Sequence, residues 1–107
     1  METKNALTAL AALAQETRLA VFRLLVETGL EGLPVGKIGE RLSIAPATLS
    51  FHLKELAHAD LVTMRHEGRF IYCSASFATM NDLLAYLTEN CCVGNAPAYV
   101  RSNVPPL

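Results

Sequence analysis

Three cysteines are the residues of this chain best suited to chemistry with soft ions: Cys73, Cys91 and Cys92. Thiolates are soft ligands that prefer thiophilic metals and metalloids. An odd number of cysteines argues against a disulfide framework, and their spacing matches none of the common zinc patterns. The adjacent pair, Cys91 and Cys92, is therefore the first candidate for a ligand site.

The composition around these cysteines predicts one folded domain with little net charge. The chain has 107 residues, of which 51% are hydrophobic, and its formal net charge is −1. No apolar run approaches the roughly 18 to 20 residues of a membrane span. The first residues also lack the basic and apolar regions of a signal peptide, so we expect a cytoplasmic protein with no membrane partner. A net charge of −1 argues against a strongly basic nucleic-acid binder, but it allows a DNA reader with its basic residues on one face.

Hydrophobic periodicity predicts a mainly α-helical chain with one β-hairpin. The first three predicted helices span residues 6–14, 16–28 and 35–42. A fourth begins at Pro46. A fifth is capped by Ser76 and runs to Cys91 or Cys92, and Gly94 ends it. Two strands, 61–66 and 69–75, flank a turn at Glu67-Gly68. We assign residues 1–93 to the domain and residues 94–107, which have three prolines and no periodicity, to a flexible tail.

The order of these elements predicts a winged helix-turn-helix, since a short helix, a brief turn and an amphipathic helix precede the hairpin. A recognition helix presents short polar groups near its N-terminus to the major groove, and an arginine at a hairpin tip reaches a phosphate or the minor groove. The candidate DNA-binding residues are Ala47, Thr48, Ser50, Phe51, His52 and Lys54 on the helix and Arg65, His66 and Arg69 on the wing.

Two alternatives stay open for this surface. The polar face of the helix would also suit simple solvation, because any amphipathic helix has such a face. His52 lies beside the apolar stripe of Leu49, Leu53 and Leu56, so a packed, hydrogen-bonded histidine is as good an interpretation as a DNA contact. The first helix is apolar over most of its surface, which is typical of a helix that packs against a second subunit.

Three segments resemble the arsenic-repressor (ArsR/SmtB) family over roughly residues 5–92: ETRLAVFRLL, VGKIGERLSIAPATLSFHLKELAHADLV and RHEGRFIYCSA. The resemblance implies a repressor that is a homodimer through its first and last helices and that leaves DNA when a metal, metalloid or thiol-reactive signal binds. A two-fold dimer implies a palindromic operator in double-stranded DNA. The interface residues would be Leu7, Leu10, Leu83, Leu84 and Leu87.

The resemblance also reduces the number of candidate inducers. Pro34 and Gly36 stand where one type of family sensor has its cysteines, and the stretch from Ser76 to Asn90 lacks the histidine of another type. The adjacent Cys91 and Cys92 resemble an arsenic-responsive subgroup, although that subgroup has a third cysteine a few residues later and this chain does not.

These residues suggest a trivalent arsenical as inducer, with no constitutive cofactor. Two thiols satisfy methylarsenite, which has one carbon and two exchangeable hydroxyls, whereas arsenite has three hydroxyls and needs a third ligand. Cys73 is the other candidate ligand in the chain, although a partly buried strand residue is the simpler interpretation. Antimonite is a related candidate.

Other functions remain as alternatives. A redox or persulfide sensor would use the same cysteine pair, but a helix C-terminus near Glu89 raises a thiol pKa rather than lowering it. A regulator without a thiol signal is a further alternative. We do not expect an enzyme, because neither Cys91 nor Cys92 is followed by the arginine of a C-x5-R phosphate loop.

Overall fold

A computed structural model describes residues 1–95 of the chain. This part has five α-helices and three β-strands in chain order: α1 (Thr3–Leu13), α2 (Glu16–Thr28), β1 (Leu33–Pro34), α3 (Val35–Leu42), α4 (Pro46–His58), β2 (Val62–Glu67), β3 (Phe70–Ala75) and α5 (Phe77–Thr88). The predicted winged helix-turn-helix is confirmed. Of the predicted tail, residues 96–107 lie outside the described residues.

Local hydrogen bonds explain where several helices begin. The Gln15 side chain accepts a hydrogen bond from the Arg18 backbone N–H at 2.8 Å and so caps α2. Pro46 occupies the first turn of α4, where its missing N–H costs nothing. The Ser76 hydroxyl accepts from the Thr79 backbone N–H at 3.3 Å and caps α5, as predicted.

A three-residue turn joins α3 to α4 and sets the angle of the second helix. Ser43 begins this turn in the left-handed conformation, with a φ of 54°. Gly39 of α3 lies so close to the turn that an added Cβ would be 3.1 Å from the Ile44 carbonyl oxygen. The two helices therefore pack closely, as the helix-turn-helix motif requires.

The sheet is antiparallel, in the order β1-β3-β2. The hairpin of β2 and β3 pairs Val62 with Ala75 and Glu67 with Phe70. Strand β1 pairs Leu33 with Cys73 and was not predicted, because two residues carry no readable alternation of apolar and polar side chains.

The core is built from aliphatic side chains, since the chain has no tryptophan. Helix α1 contributes the small residues Ala6, Ala9 and Ala12, which allow it to approach its neighbours closely. The largest fully buried side chains are Val21, Leu25, Ile38, Leu49, Leu53, Leu56, Leu61 and Cys73. Within residues 1–95, each helix is too short or too polar to cross a membrane.

One helix boundary differs from the prediction in a way that matters for the site. Helix α5 ends at Thr88, not at Cys91 or Cys92, and Glu89 is its C-cap. Glu89 has a ψ of 132°, which ends helical geometry before the cysteine pair, and Asn90 and Cys92 then have positive φ values of 59° and 68°. Asn favours this conformation more than most residues. Both cysteines therefore lie in a turn beyond the helix.

Candidate DNA-binding surface and cysteine pair

The outer face of α4 carries the residues expected to read DNA. Leu49, Leu53 and Leu56 point into the core and so fix which side of the helix faces outward. Phe51 is 56% exposed, so its ring is available for contacts on this face. The other predicted residues that the structure leaves exposed on this helix are Ala47, Thr48, Ser50 and Lys54.

His52 does not belong to this exposed face. Its side chain is only 8% exposed, and its Nδ1 lies 3.3 Å from Nη1 of Arg18. Its burial argues against the expected DNA contact by His52 and favours the alternative of a packed, hydrogen-bonded histidine. The apolar stripe beside it already indicated burial of His52, because His52 follows Leu49 by three residues and so lies on the same side of the helix.

The wing exposes its predicted basic residues, Arg65, His66 and Arg69. Gly68 has a φ of 60° and forms the tight turn of the hairpin. Arg65 Nε donates to Glu67 Oε1 at 3.0 Å, and its guanidinium lies 4.8 Å from the centre of the Tyr72 ring. These contacts hold Arg65 along the wing, at an orientation from which a phosphate could replace the exposed carboxylate.

The turn after α5 brings the two sulfur atoms of the cysteine pair together. Cys91 Sγ and Cys92 Sγ are 2.7 Å apart, and both residues are half-buried, free thiols. The pKa of the Cys92 thiol is raised, first by its hydrogen bond with Cys91, then by burial, and then by the charge of a Cys91 thiolate. At neutral pH the Cys92 thiol is therefore protonated.

Cys73 lies apart from this pair, in the core. It is fully buried on β3, and burial raises the pKa of its thiol to about 12. Across residues 1–95 no group of three or more His, Cys, Asp or Glu side chains is placed to hold a metal ion. The expectation of Cys73 as a third ligand in the same chain is therefore not supported, because its strand points the thiol into the apolar interior.

The predicted interface leucines fall into two groups. Four of the five are exposed: Leu7, Leu10, Leu84 and Leu87. Leu83 is different, with only 6% of its surface exposed, because it packs into the core of its own chain. Helices α1 and α5 lie side by side, where the hydroxyls of Thr3 and Tyr86 form a hydrogen bond.

Comparisons with known proteins agree with this geometry. A family model described as a helix-turn-helix domain matches residues 13–65. A curated relative, the uncharacterized HTH-type transcriptional regulator YceK of Bacillus subtilis (strain 168), is 41% identical over 78 residues, which are 73% of this chain and 77% of the relative.

Solved structures show the same similarity. An ArsR-like transcriptional regulator from Rhodococcus sp. RHA1 superposes with a TM-score of 0.70 at 26% identity, covering 78% of this chain and 76% of that one. A protein described as a possible transcriptional regulator for arsenical resistance has a TM-score of 0.65 at 28% identity, covering 74% of this chain and 79% of that one.

Proposed function

The chain belongs to the ArsR-type family of winged helix-turn-helix transcriptional regulators, which are DNA-binding proteins and not enzymes, and we propose that it is a repressor released from DNA by a trivalent arsenical. The observation that carries the proposal is the turn after α5, where two free thiols are 2.7 Å apart and half-exposed. A small opening of this turn would let one arsenic atom bridge the two sulfurs, and the turn contributes no side chain to the core.

The DNA-binding half of the proposal rests on two exposed surfaces that follow one another in the chain. The recognition helix α4 offers Thr48 and Ser50 for base edges and Lys54 for a phosphate. The wing adds Arg65 and Arg69 beside the groove. The wing has a local excess of positive charge, whereas on α4 Lys54 is followed directly by Glu55.

The arsenical half follows from the protonation of the pair. Methylarsenite carries two hydroxyl groups on arsenic, and each is exchanged for one cysteine sulfur. Each exchange breaks an As–O bond, forms an As–S bond and releases the hydroxyl with the thiol proton as water, so arsenic stays trivalent. A protonated thiol is therefore a suitable reactant, and the raised pKa of Cys92 is no obstacle. Arsenite and antimonite would keep one bond to a hydroxyl or to a small thiol.

The choice of arsenicals over other soft ligands has support in one relative. A solved structure at 28% identity is described as a possible regulator for arsenical resistance. That description applies to the other protein, and it gives the reason to test arsenicals on this chain first.

The release mechanism follows from the position of the pair next to the proposed dimer face. A homodimer through α1 and α5 would cover the exposed leucines Leu7, Leu10, Leu84 and Leu87. Bridging Cys91 and Cys92 changes the turn at the end of α5, and α5 packs on α1. The two recognition helices then leave the separation that fits a palindromic operator. Inducer and DNA weaken each other's binding equally, as thermodynamic linkage requires.

A titration of the DNA complex tests the proposal. The protein is bound to a fluorescent duplex from the region upstream of its own gene, and anisotropy follows release by methylarsenite, arsenite or antimonite. We expect methylarsenite to release DNA at the lowest concentration. Cys91→Ser and Cys92→Ser should abolish release, because each removes one of the two sulfurs.

The matched control is Cys73→Ala, which should respond like the unchanged protein. Release that survives both Cys91→Ser and Cys92→Ser would contradict the proposed site. Release by hydrogen peroxide or a polysulfide, with none by any arsenical, would replace this proposal by a redox or persulfide sensor that uses the same pair.

A further inference from the structure

One polar contact in the interior links the recognition helix to the helices behind it. His52 is the buried polar side chain of the described residues, and it lies on α4 between Phe51 and Leu53. Its Nδ1 is 3.3 Å from Nη1 of Arg18 on α2. Since arginine donates only, Nδ1 must accept, which assigns the ring proton of a neutral His52 to Nε2. The exposed side chains that are proposed to touch DNA take no part in this buried contact.

Arg18 is itself held firmly. Its Nε donates to the Ala12 carbonyl oxygen at 2.7 Å, in the last turn of α1, where a helix leaves its carbonyls without partners of its own. Its backbone N–H donates to the Gln15 side chain at 2.8 Å. The planar guanidinium thus joins the end of α1 to α4 through two separate N–H groups, which the single ammonium of a lysine cannot reproduce at the same positions.

The rest of the contact between α4 and the core is aliphatic. Leu49, Leu53 and Leu56 resist separation of α4 from the core, but apolar burial has no preferred direction and does not fix the rotation of a helix closely. A hydrogen bond is directional and therefore does fix the rotation of a helix. The ring of Phe51, on the DNA face, meets the ring of His52 edge to face with centroids 5.3 Å apart. A rotation of α4 that breaks the buried contact therefore also displaces an exposed reading residue.

We propose that Arg18 and His52 are positioning residues that set the rotation of α4 against α1 and α2, and through it the alignment of the reading side chains with DNA. Neither residue touches DNA. The inference rests on the proposed use of α4 as the recognition helix. Because Arg18 binds the end of α1, this contact is also where a displacement of α1 would reach the DNA-reading face.

Binding to two DNA duplexes tests the proposal. One duplex is selected by the unchanged protein from a random 20-base-pair pool, and the other is an unrelated sequence of equal length. We expect His52→Leu and Arg18→Met each to weaken binding to the selected duplex about tenfold, because each removes the hydrogen bond that fixes the rotation of α4. Binding to the unrelated duplex should change less than about twofold, because phosphate contacts tolerate a small rotation.

Two further variants separate positioning from simple stability. His52→Asn keeps an acceptor near the position of Nδ1 and should recover binding to within about threefold of the unchanged protein. Arg18→Lys should not recover it. The double variant His52→Leu with Arg18→Met should bind no more weakly than either single variant, because both remove the same contact. Thermal unfolding of each variant confirms that the protein measured is folded.

The outcomes distinguish this inference from the proposed function. Lys54→Ala should weaken binding to both duplexes, and Thr48→Ala should weaken binding to the selected one. If neither has an effect, the proposed recognition surface fails. Three results would refute the positioning role alone, provided that Lys54→Ala and Thr48→Ala have their expected effects. The Arg18 and His52 variants could bind normally, their losses of affinity could add in the double variant, or the losses could be equal on both duplexes.

Discussion

At the scale of single residues, the three cysteines divide into two chemical kinds. Cys73 is fully buried on β3, whereas Cys91 and Cys92 are half-exposed in a turn. A buried free thiol behaves as a small apolar side chain, and its proton is held because the interior does not solvate a thiolate. The sequence alone does not separate these kinds, although the alternation along β3 makes the buried position of Cys73 the simpler interpretation.

The raised pKa of Cys73 predicts a loss of stability at high pH. The folded thiol titrates at about 12 and an ordinary one at 9.0, so above pH 9 the unfolded chain binds fewer protons than the folded one. The contribution of Cys73 is therefore complete below pH 9 and is lost as the pH rises toward 12. Urea unfolding should show a decline of about 1.4 kcal/mol per pH unit above 9 from this group.

Cys73→Ala provides the comparison, because lysines and tyrosines also titrate in this range. The difference in unfolding free energy between the two proteins should shrink as the pH rises from 9 to 11. An unchanged difference over that interval would mean that the thiolate is tolerated inside the fold.

At the scale of elements, the sequence predicted those helix boundaries that hydrophobic periodicity and turn residues determine. Helices α2 and α3 begin and end as expected, because a glycine follows the first and a loop with Pro34 precedes the second. The end of α5 was placed too late, since the backbone leaves helical geometry at Glu89, which apolar spacing does not report. His52 shows the same limit within the candidate site, because its partner Arg18 is 34 residues away in the chain.

Strand β1 depends on one glycine that allows close approach to β3. Gly32 has a φ of 72°, and an added Cβ would lie 2.2 Å from the backbone carbonyl oxygen of Cys73. Gly32→Ala should therefore lower the free energy of unfolding by about 2 kcal/mol or more, through strain at this φ and displacement of β1. Urea unfolding measures the change.

Gly36→Ala is the matched control on the neighbouring helix α3. A Cβ there meets nothing within 4 Å, so we expect a gain of about 0.5 to 1 kcal/mol from a better helix former. Equal effects of the two substitutions would contradict the close contact of Gly32 with β3.

At the scale of the whole molecule, one chain leaves a group of leucines on α1 and α5 exposed to solvent. Leu84 and Leu87 are each more than half exposed, and Leu7 is 60% exposed. Proteins rarely leave several such side chains adjacent unless another surface covers them. A second copy of this chain would do so, and it would give two recognition helices for one operator.

Leu84→Glu should therefore convert a dimer into a monomer, since it places a charge in an apolar interface. Sedimentation at micromolar concentration measures the mass, and anisotropy should show a loss of operator affinity of at least about tenfold. Leu30→Glu is the control, because Leu30 is 82% exposed in the loop before β1, away from the proposed interface. This variant should remain dimeric. A dimer that persists in Leu84→Glu would place the interface elsewhere.

The early end of α5 has a consequence for how such a protein changes over generations. Residues 89–95 contribute no side chain to the buried core, so we expect substitutions there to leave the fold and the recognition helix intact. A few codons after the last helix can therefore acquire, lose or replace a ligand-binding group without first compensating for lost stability. If these residues bind the inducer as proposed, the chemical that is sensed would be inherited almost separately from the genes that are controlled.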